Sequence, residues 1–131
     1  MGKDISDVFV SIPIENASDQ LLTDSEKKSL ITRENIILDC WASWCVPCRA
    51  RMEEIKSDKV TIDHKQYHII YLSIDANDAM WKSAPYPFLN NENSFRITGP
   101  DNQFIKDFGI RRIPRAILLN QSGLISSDFI F

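Results

Sequence analysis

The stretch IILDCWASWCVPC, residues 36–48, decides the fold of this chain. Its first part, residues 36–42, is almost continuously apolar, which is the pattern of a β-strand buried on both faces. The residues from Cys45 to about Ser57 have a helix-forming composition, with apolar and charged positions at helical spacing. The C-x-x-C pair of Cys45 and Cys48, here called the cysteine pair, therefore lies directly after a predicted strand and opens a predicted helix.

The position of the cysteine pair predicts its reactivity. Unpaired N–H groups and the macrodipole at a helix N-terminus favour negative charge, so the pKa of the Cys45 thiol should fall. A lower pKa matters because the thiolate is the nucleophile in disulfide exchange. Cys48 lies three residues later, near the same helical face, and can attack a mixed disulfide on Cys45. Pro47 is tolerated in a first turn, where its missing N–H would have no helical partner.

Two other interpretations of the cysteine pair stand beside this one. The pair could be half of a zinc site, but structural zinc needs four ligands. The chain has two histidines, His64 just before a predicted strand and His68 at its start, and they do not form a second ligand pair. We therefore predict no metal site. An inert buried pair is the other alternative, and the helix opening beside Trp44 disfavours it.

The third cysteine, Cys40, follows Asp39 on the same predicted strand. Neighbouring side chains of a strand point to opposite faces of the sheet, so these two should be separated by it. A free cysteine behaves as a small hydrophobic residue. We therefore expect Cys40 to be a buried thiol without a role in exchange.

Further predicted elements follow the same alternation of strands and helices. The pattern predicts a helix or ordered loop in residues 19–31, a second buried strand in 68–74, helices in 77–83 and 102–108, and two strands, 115–120 and 124–130, around a turn. The order strand, helix, strand, helix, helix, hairpin predicts an α/β fold with a mixed central sheet flanked by helices.

Composition and charge exclude several classes of protein. The 131 residues suit one domain, and 44% hydrophobic with 25% charged residues is ordinary for a globular protein. Fifteen basic and 18 acidic residues give a formal net charge of −3, which does not suit a nucleic-acid binder. No apolar run approaches the roughly 18 residues of a membrane-spanning helix. We expect no nucleic-acid partner and no membrane span.

Residues 38–49 resemble the active-site signature of the thioredoxin superfamily, and residues 108–114, FGIRRIP, resemble the segment that ends in the family's cis-proline. The resemblance implies a thioredoxin-like fold and a cis Ile113–Pro114 bond, an isomer that needs a structural reason. It also implies that Pro114 and the backbone near Ile113 hold an extended client strand by main-chain hydrogen bonds. The expected substrate-binding residues are Trp44, Val46, Pro47, Ile113 and Pro114.

The connection between Asp75 and Phe108 is longer than in thioredoxin itself. This insertion before the cis-proline block, together with the form W-A-S-W-C-x-P-C, is similar to the TlpA/ResA-like branch of extracytoplasmic thiol-disulfide oxidoreductases. Asp39 matches the family's buried carboxylate, which moves protons for the second cysteine, and burial should raise its pKa. Thioredoxin usually places a lysine beside that acid, whereas the matching position here is Tyr71.

The resemblance further implies an organisation and an environment for the chain. We expect residues 1–33 to form an N-terminal extension that packs on a thioredoxin-like domain of residues 34–131, and the family's C-terminal helix to be missing after Phe131. Five arginines near the two blocks form either a solvated surface or a basic rim around the cysteine pair: Arg49, Arg51, Arg111, Arg112 and Arg115. An extracytoplasmic location is favoured and a cytoplasmic one is possible.

The activity implied by the resemblance is thiol-disulfide exchange between the cysteine pair and protein disulfides, in the reducing direction, with Cys45, Cys48 and Asp39 as catalytic residues. The cysteine pair is then the redox group and no other cofactor is expected. The partners are client proteins with disulfides and an upstream thiol donor. Two alternatives remain: a peroxidase, for which the expected loop with a peroxidatic cysteine is missing, and a non-catalytic thioredoxin-fold binding module or metal carrier.

Overall fold

The computed structural model describes residues 9–32, 35–83, 86–90, 92–98, 113–120 and 123–129. The helices whose two ends both lie in these residues are α1 (Asp24–Ile31), α2 (Val46–Ile55) and α3 (Asp78–Lys82). The strands are β1 (Ile14–Asn16), β2 (Ile36–Trp41), β3 (Lys59–Ile62), β4 (Lys65–Ser73), β5 (Ser94–Ile97), β6 (Arg115–Asn120) and β7 (Gly123–Phe129). None of the helices described is both long enough and apolar enough to cross a membrane.

The seven strands of the described residues form one mixed sheet in the order β1-β5-β4-β2-β6-β7, and β3 pairs with β4 beside this path. β2 lies between β4, which is parallel to it, and β6, which is antiparallel. All six residues of β2 are buried, as its continuous apolar pattern predicts. The predicted α/β fold with a mixed sheet and the predicted central strand are confirmed.

The two faces of β2 belong to two separate hydrophobic cores. Cys40 lies in the first core, with Ile36 and Leu38, and the second core contains Trp41 and both residues of the cysteine pair. Asp39, the neighbour of Cys40, is fully buried and bonds to α2, which carries the cysteine pair. The sheet therefore separates Cys40 from Asp39, as predicted, and α2 covers the face that holds the site.

Three strands arise where the sequence pattern did not predict them: β1, β3 and β5. β3 and β4 form a hairpin whose turn residues, Asp63 and His64, have φ of 50° and 67°. This turn lacks the glycine that marks most such hairpins, and β3 is half exposed. β5 has only four residues and forms by pairing with β1 and β4. β4 consequently begins at Lys65, three residues before the predicted strand.

The remaining predicted elements agree with the structure where it describes them. The 19–31 region contains a helix that begins after Thr23, which forms a capping box with Glu26. α3 begins after Asn77, close to the predicted start. β6 and β7 pair antiparallel, as a hairpin requires. The predicted helix in 102–108 lies outside the described residues.

Candidate active site at the cysteine pair

The cysteine pair forms a disulfide at the beginning of α2, with its two Cα atoms 5.3 Å apart. Cys45 is the N-cap residue of the helix, and its Sγ accepts a hydrogen bond from the backbone N–H of Cys48 at 3.2 Å. Pro47 lies in the first turn, as predicted. Of the two side chains, Cys45 is 5% exposed and Cys48 is 1% exposed. The first sulfur therefore lies nearer the surface, at a helix end that favours a negative charge.

The predicted substrate-binding residues lie on two segments of the chain, residues 44–47 and 113–114. Trp44 is 64% exposed and Val46 75% exposed, which is unusual for such apolar side chains. The Ile113–Pro114 bond is cis, as the resemblance implies. Ile113 is half-buried and packs against the core cluster that contains the cysteine pair. An apolar surface thus adjoins the disulfide, and the contacts of these residues with a client stay a prediction.

Asp39 lies below α2 and forms a buried ion pair with Arg51, whose Nη2 donates to Asp39 Oδ1. Burial raises the pKa of Asp39 from 3.8 to about 6, although the charge and the hydrogen bond of Arg51 act in the opposite direction. Tyr71 lies beside Asp39 in the register of β4, at the expected position. Its hydroxyl donates to the carbonyl of Ser57 at 2.6 Å, and burial and Asp39 raise its pKa.

The expectation that Arg51 belongs to an exposed basic rim is wrong. Residues three apart on a helix share a face, so Arg51 lies on the same inner face of α2 as Cys48. Its side chain is buried against Asp39, which compensates its charge. Arg49, by contrast, is exposed, and Arg115 is half-buried on β6. Arg111 and Arg112 lie outside the described residues.

The raised pKa of Asp39 makes a prediction about stability. The folded protein holds the Asp39 proton up to about pH 6, whereas the unfolded chain loses it near pH 3.8. The contribution of Asp39 to stability is therefore complete below pH 3.8 and is lost as the pH rises to about 6. Two pKa units correspond to about 3 kcal/mol. Between pH 4 and pH 7, the free energy of unfolding of an Asp39→Asn variant should rise by about 3 kcal/mol relative to that of the original protein. Urea unfolding at each pH measures this difference.

The charge of Arg51 does not disturb this comparison, because arginine keeps its charge across that pH range. The desolvation of Arg51 changes the free energy of unfolding of the Asn variant by the same amount at every pH, so the pH trend stays the same. Asp24, whose side chain is 83% exposed, serves as the matched control, and Asp24→Asn should show no such trend. A stability difference between the Asp39 variant and the original protein that is flat from pH 4 to pH 7 would refute the raised pKa.

Asp75 is a second buried carboxylate at the site, and the sequence pattern does not mark it as a site residue. It is 2% exposed. The backbone N–H of Ser43 donates to both its oxygens, at 3.1 and 3.0 Å, and Ser43 Oγ donates at 2.7 Å. Ser73 Oγ donates to Oδ2 at 2.5 Å. Because β2 and β4 are parallel, their carboxyl ends meet, and this could have suggested that Asp75 lies beside the residues after β2.

The segment between Asp75 and Phe108 contacts the active-site helix through Tyr86. Arg49 Nε donates to the Tyr86 hydroxyl at 3.0 Å, and the Tyr86 ring packs edge-on against Trp41 at 6.4 Å. Trp41 is fully buried. An open groove of about 1070 Å³ lies between α2 and residues 86–88, beginning at Pro47.

One group of carboxylates could hold a metal ion in the described part of the chain. Glu15, Asp19 and Asp78 bring their oxygens within 4.8 Å of one another. Lys82 forms ion pairs with Asp19 and Asp78, and Arg96 pairs with Glu15. Basic side chains thus already compensate these acidic groups.

Comparison with known proteins identifies a matching family and two similar proteins. A family model described as Thioredoxin-like matches residues 34–125. The thiol-disulfide oxidoreductase ResA of Halalkalibacterium halodurans is 27% identical over 117 residues, which are 85% of this chain and 64% of that protein. The thiol:disulfide interchange protein DsbE of Tatumella citrea is 26% identical over 102 residues, 76% of this chain and 51% of the other. The chain thus spans less than two thirds of either relative.

A solved structure shares the fold. It is that of a secreted Mycobacterium tuberculosis disulfide oxidoreductase homologous to DsbE of E. coli, with a TM-score of 0.61 at 16% identity. The match covers 92% of this chain and 83% of that one. Together with the family model, this match confirms the thioredoxin-like fold that the resemblance implies.

Proposed function

Since the chain belongs to the thioredoxin-like family, we propose that it is a thiol-disulfide oxidoreductase that reduces disulfides of client proteins. The observation that carries this proposal is the cysteine pair at the N-terminus of α2, with Cys45 Sγ hydrogen-bonded to the N–H of Cys48. The relatives named thiol-disulfide oxidoreductase and thiol:disulfide interchange protein support it. Because the chain spans less than two thirds of those relatives, its clients and donor are part of the proposal.

In the proposed reaction, the Cys45 thiolate attacks one sulfur of a client disulfide. The client S–S bond breaks, its other sulfur leaves as a thiolate that takes up a proton, and a mixed disulfide with Cys45 forms. Asp39 then accepts the proton of the Cys48 thiol, and the Cys48 thiolate attacks Cys45. The second client thiolate leaves and is protonated. Two electrons pass to the client, and the Cys45–Cys48 disulfide remains.

The exposed apolar residues beside Cys45 suit the client side of this reaction. Trp44 and Val46 would contact apolar client side chains next to the disulfide, and Pro47 would shape the turn between them. Ile113 and Pro114 would hold the client backbone in extended form, as the resemblance implies. An upstream dithiol donor must reduce the cysteine pair again after each turnover, and the pair itself serves as the redox group without another cofactor.

The location proposed for the chain is extracytoplasmic. The M. tuberculosis protein of the same fold is described as secreted, and the TlpA/ResA-like branch acts where disulfides form and need a dedicated reductant. The alternative of a non-catalytic binding module or metal carrier is not favoured, because the two cysteines are bonded to each other at a helix end.

The test of the proposed function is the reduction potential of the cysteine pair, measured in glutathione and dithiothreitol buffers with thiol alkylation and mass spectrometry. We expect a reversible two-electron couple at about −250 mV or below, together with reduction of insulin disulfides, as for thioredoxin-like reductases. A potential near about −120 to −180 mV would instead assign an oxidase or isomerase. The absence of any reversible couple would leave the binding-module alternative in its place.

A further inference from the structure

The Asp39–Arg51 ion pair joins the central strand to the helix that carries the cysteine pair. Asp39 lies on β2 and is fully buried, and Arg51 lies on α2 and is 8% exposed. Arg51 follows Cys48 by three residues, which places the guanidinium one turn along the same helix face. Arg51 Nη2 donates to Asp39 Oδ1, and no described residue donates a hydrogen bond to Asp39 Oδ2. One oxygen is thus held, and the other is available to accept a proton.

The other groups that face Asp39 carry no full charge near neutral pH. Tyr71 lies beside it on β4, and its raised pKa keeps the phenol protonated. On β6 the residue in register with Asp39 is Ala116. Cys48 is the remaining titratable group on the same face of α2, and it is disulfide-bonded here. Among the described residues, Arg51 is therefore the charged side chain whose electrostatic interaction lowers the pKa of the Asp39 carboxyl.

A contribution to folding stability does not explain why the chain buries this ion pair. Burying two charges costs several kcal/mol for each ion, and apolar replacements of a buried pair are often neutral or stabilising. A carboxyl buried at this position without a nearby positive charge would have a still higher pKa and would hold its proton at neutral pH. A protonated carboxyl cannot accept the proton of a thiol.

We propose, on the basis of the proposed function, that Arg51 is a positioning residue that holds Asp39 ionised and oriented to accept the Cys48 proton. Arg51 acts on the reaction through Asp39, with which it forms the ion pair. Its effect is confined to the second half of the reaction, in which Cys48 resolves the mixed disulfide. The first attack by Cys45 does not use this proton transfer and does not depend on Arg51.

The test compares Arg51→Gln with a matched control, Arg49→Gln, which removes an exposed arginine two residues earlier on the same helix. The pH dependence of mixed-disulfide resolution is followed by rapid quenching and mass spectrometry. Arg51→Gln should raise the apparent pKa of the resolution step by about one unit or more, and slow that step about twofold or more at pH 7 and about tenfold at pH 5. The first attack should keep its rate, so the mixed disulfide accumulates. Arg49→Gln should leave the resolution profile unchanged.

Two further measurements keep the proposal falsifiable if the Gln variant does not fold. Arg51→Lys retains a charge and should restore most of the resolution rate. In the reduced original protein, carbon-detected NMR of the Asp39 carboxyl should show it ionised at pH 7. A protonated Asp39 at pH 7, or identical profiles for Arg51→Gln and Arg49→Gln, would overturn the role of Arg51. If the original protein shows no reversible couple and no client reduction, the proposed function itself fails.

Discussion

A Cys45→Ser variant should lose disulfide reduction by on the order of a thousandfold or more, down to the rate without enzyme. A serine hydroxyl does not ionise near neutral pH, so the N-terminal end of α2 has no thiolate to stabilise. The fold should survive, because serine is close to cysteine in size and is a preferred residue at the N-cap position that Cys45 holds in α2. The measurement is insulin reduction with a dithiol donor, together with a spectrum that reports folding.

Two companion variants separate the roles of the three cysteines. Cys48→Ser should still attack a client disulfide and should accumulate the mixed disulfide, because no second thiol is present to resolve it. Cys40→Ala is the matched control, since Cys40 lies in the core on the opposite face of the sheet and burial raises the pKa of its thiol. This control should keep its activity. Full activity of Cys45→Ser would refute the mechanism.

Asp75→Ala should lower the free energy of unfolding by roughly 3 to 5 kcal/mol. The carboxylate accepts hydrogen bonds from the backbone and side chain of Ser43 and from Ser73, and hydrogen bonds to charged groups contribute more than neutral ones. The substitution would leave several buried donors without an acceptor. Because a domain of this size is stable by only about 5 to 15 kcal/mol, the loss should be large in urea unfolding of the oxidised protein.

The same substitution should also slow disulfide exchange, because Ser43 lies two residues before Cys45 and Asp75 fixes its backbone. Asp24→Ala, at a largely exposed carboxylate in the first turn of α1, is the control and should cost about 1 kcal/mol or less. An equal loss of stability in the two variants would mean that the bonds of Asp75 contribute little.

The parts of the fold that sequence reasoning predicted are those with strong local patterns. β2 is apolar at nearly every position because it is buried on both faces, and the helix after Cys45 carries its own start signal. β3 and β5 lack such patterns. β3 is half exposed, with a turn that lacks glycine, and β5 becomes a strand through pairing with β1 and β4. Such pairing depends on residues far away in the chain, which local propensity does not report.

The candidate site also contains residues that the sequence predicts and one that it does not. The cysteine pair and the cis bond before Pro114 were predicted, the first from its motif and the second from a resemblance. The partner of Asp39 was missed because Arg51 belongs to a residue type that is usually exposed. The spacing of three residues between Cys48 and Arg51 was the available signal, since it predicts one shared helix face. The spacing alone does not show that this helix face is buried, so it could not identify Arg51 as the partner of Asp39.

The pairing of β1 with β5 also has an entropic consequence. Glu15 and Arg96, which bond across these strands, are 81 residues apart. Closing such a loop costs about 2 to 3 kcal/mol more than closing one of about five residues, because the cost grows only with the logarithm of length. Phe9, Ile12 and Ile14 are almost completely buried, and each contributes about 1.5 to 3 kcal/mol. The free energy gained by removing these three apolar side chains from water is therefore larger than the entropic free energy of closing the loop.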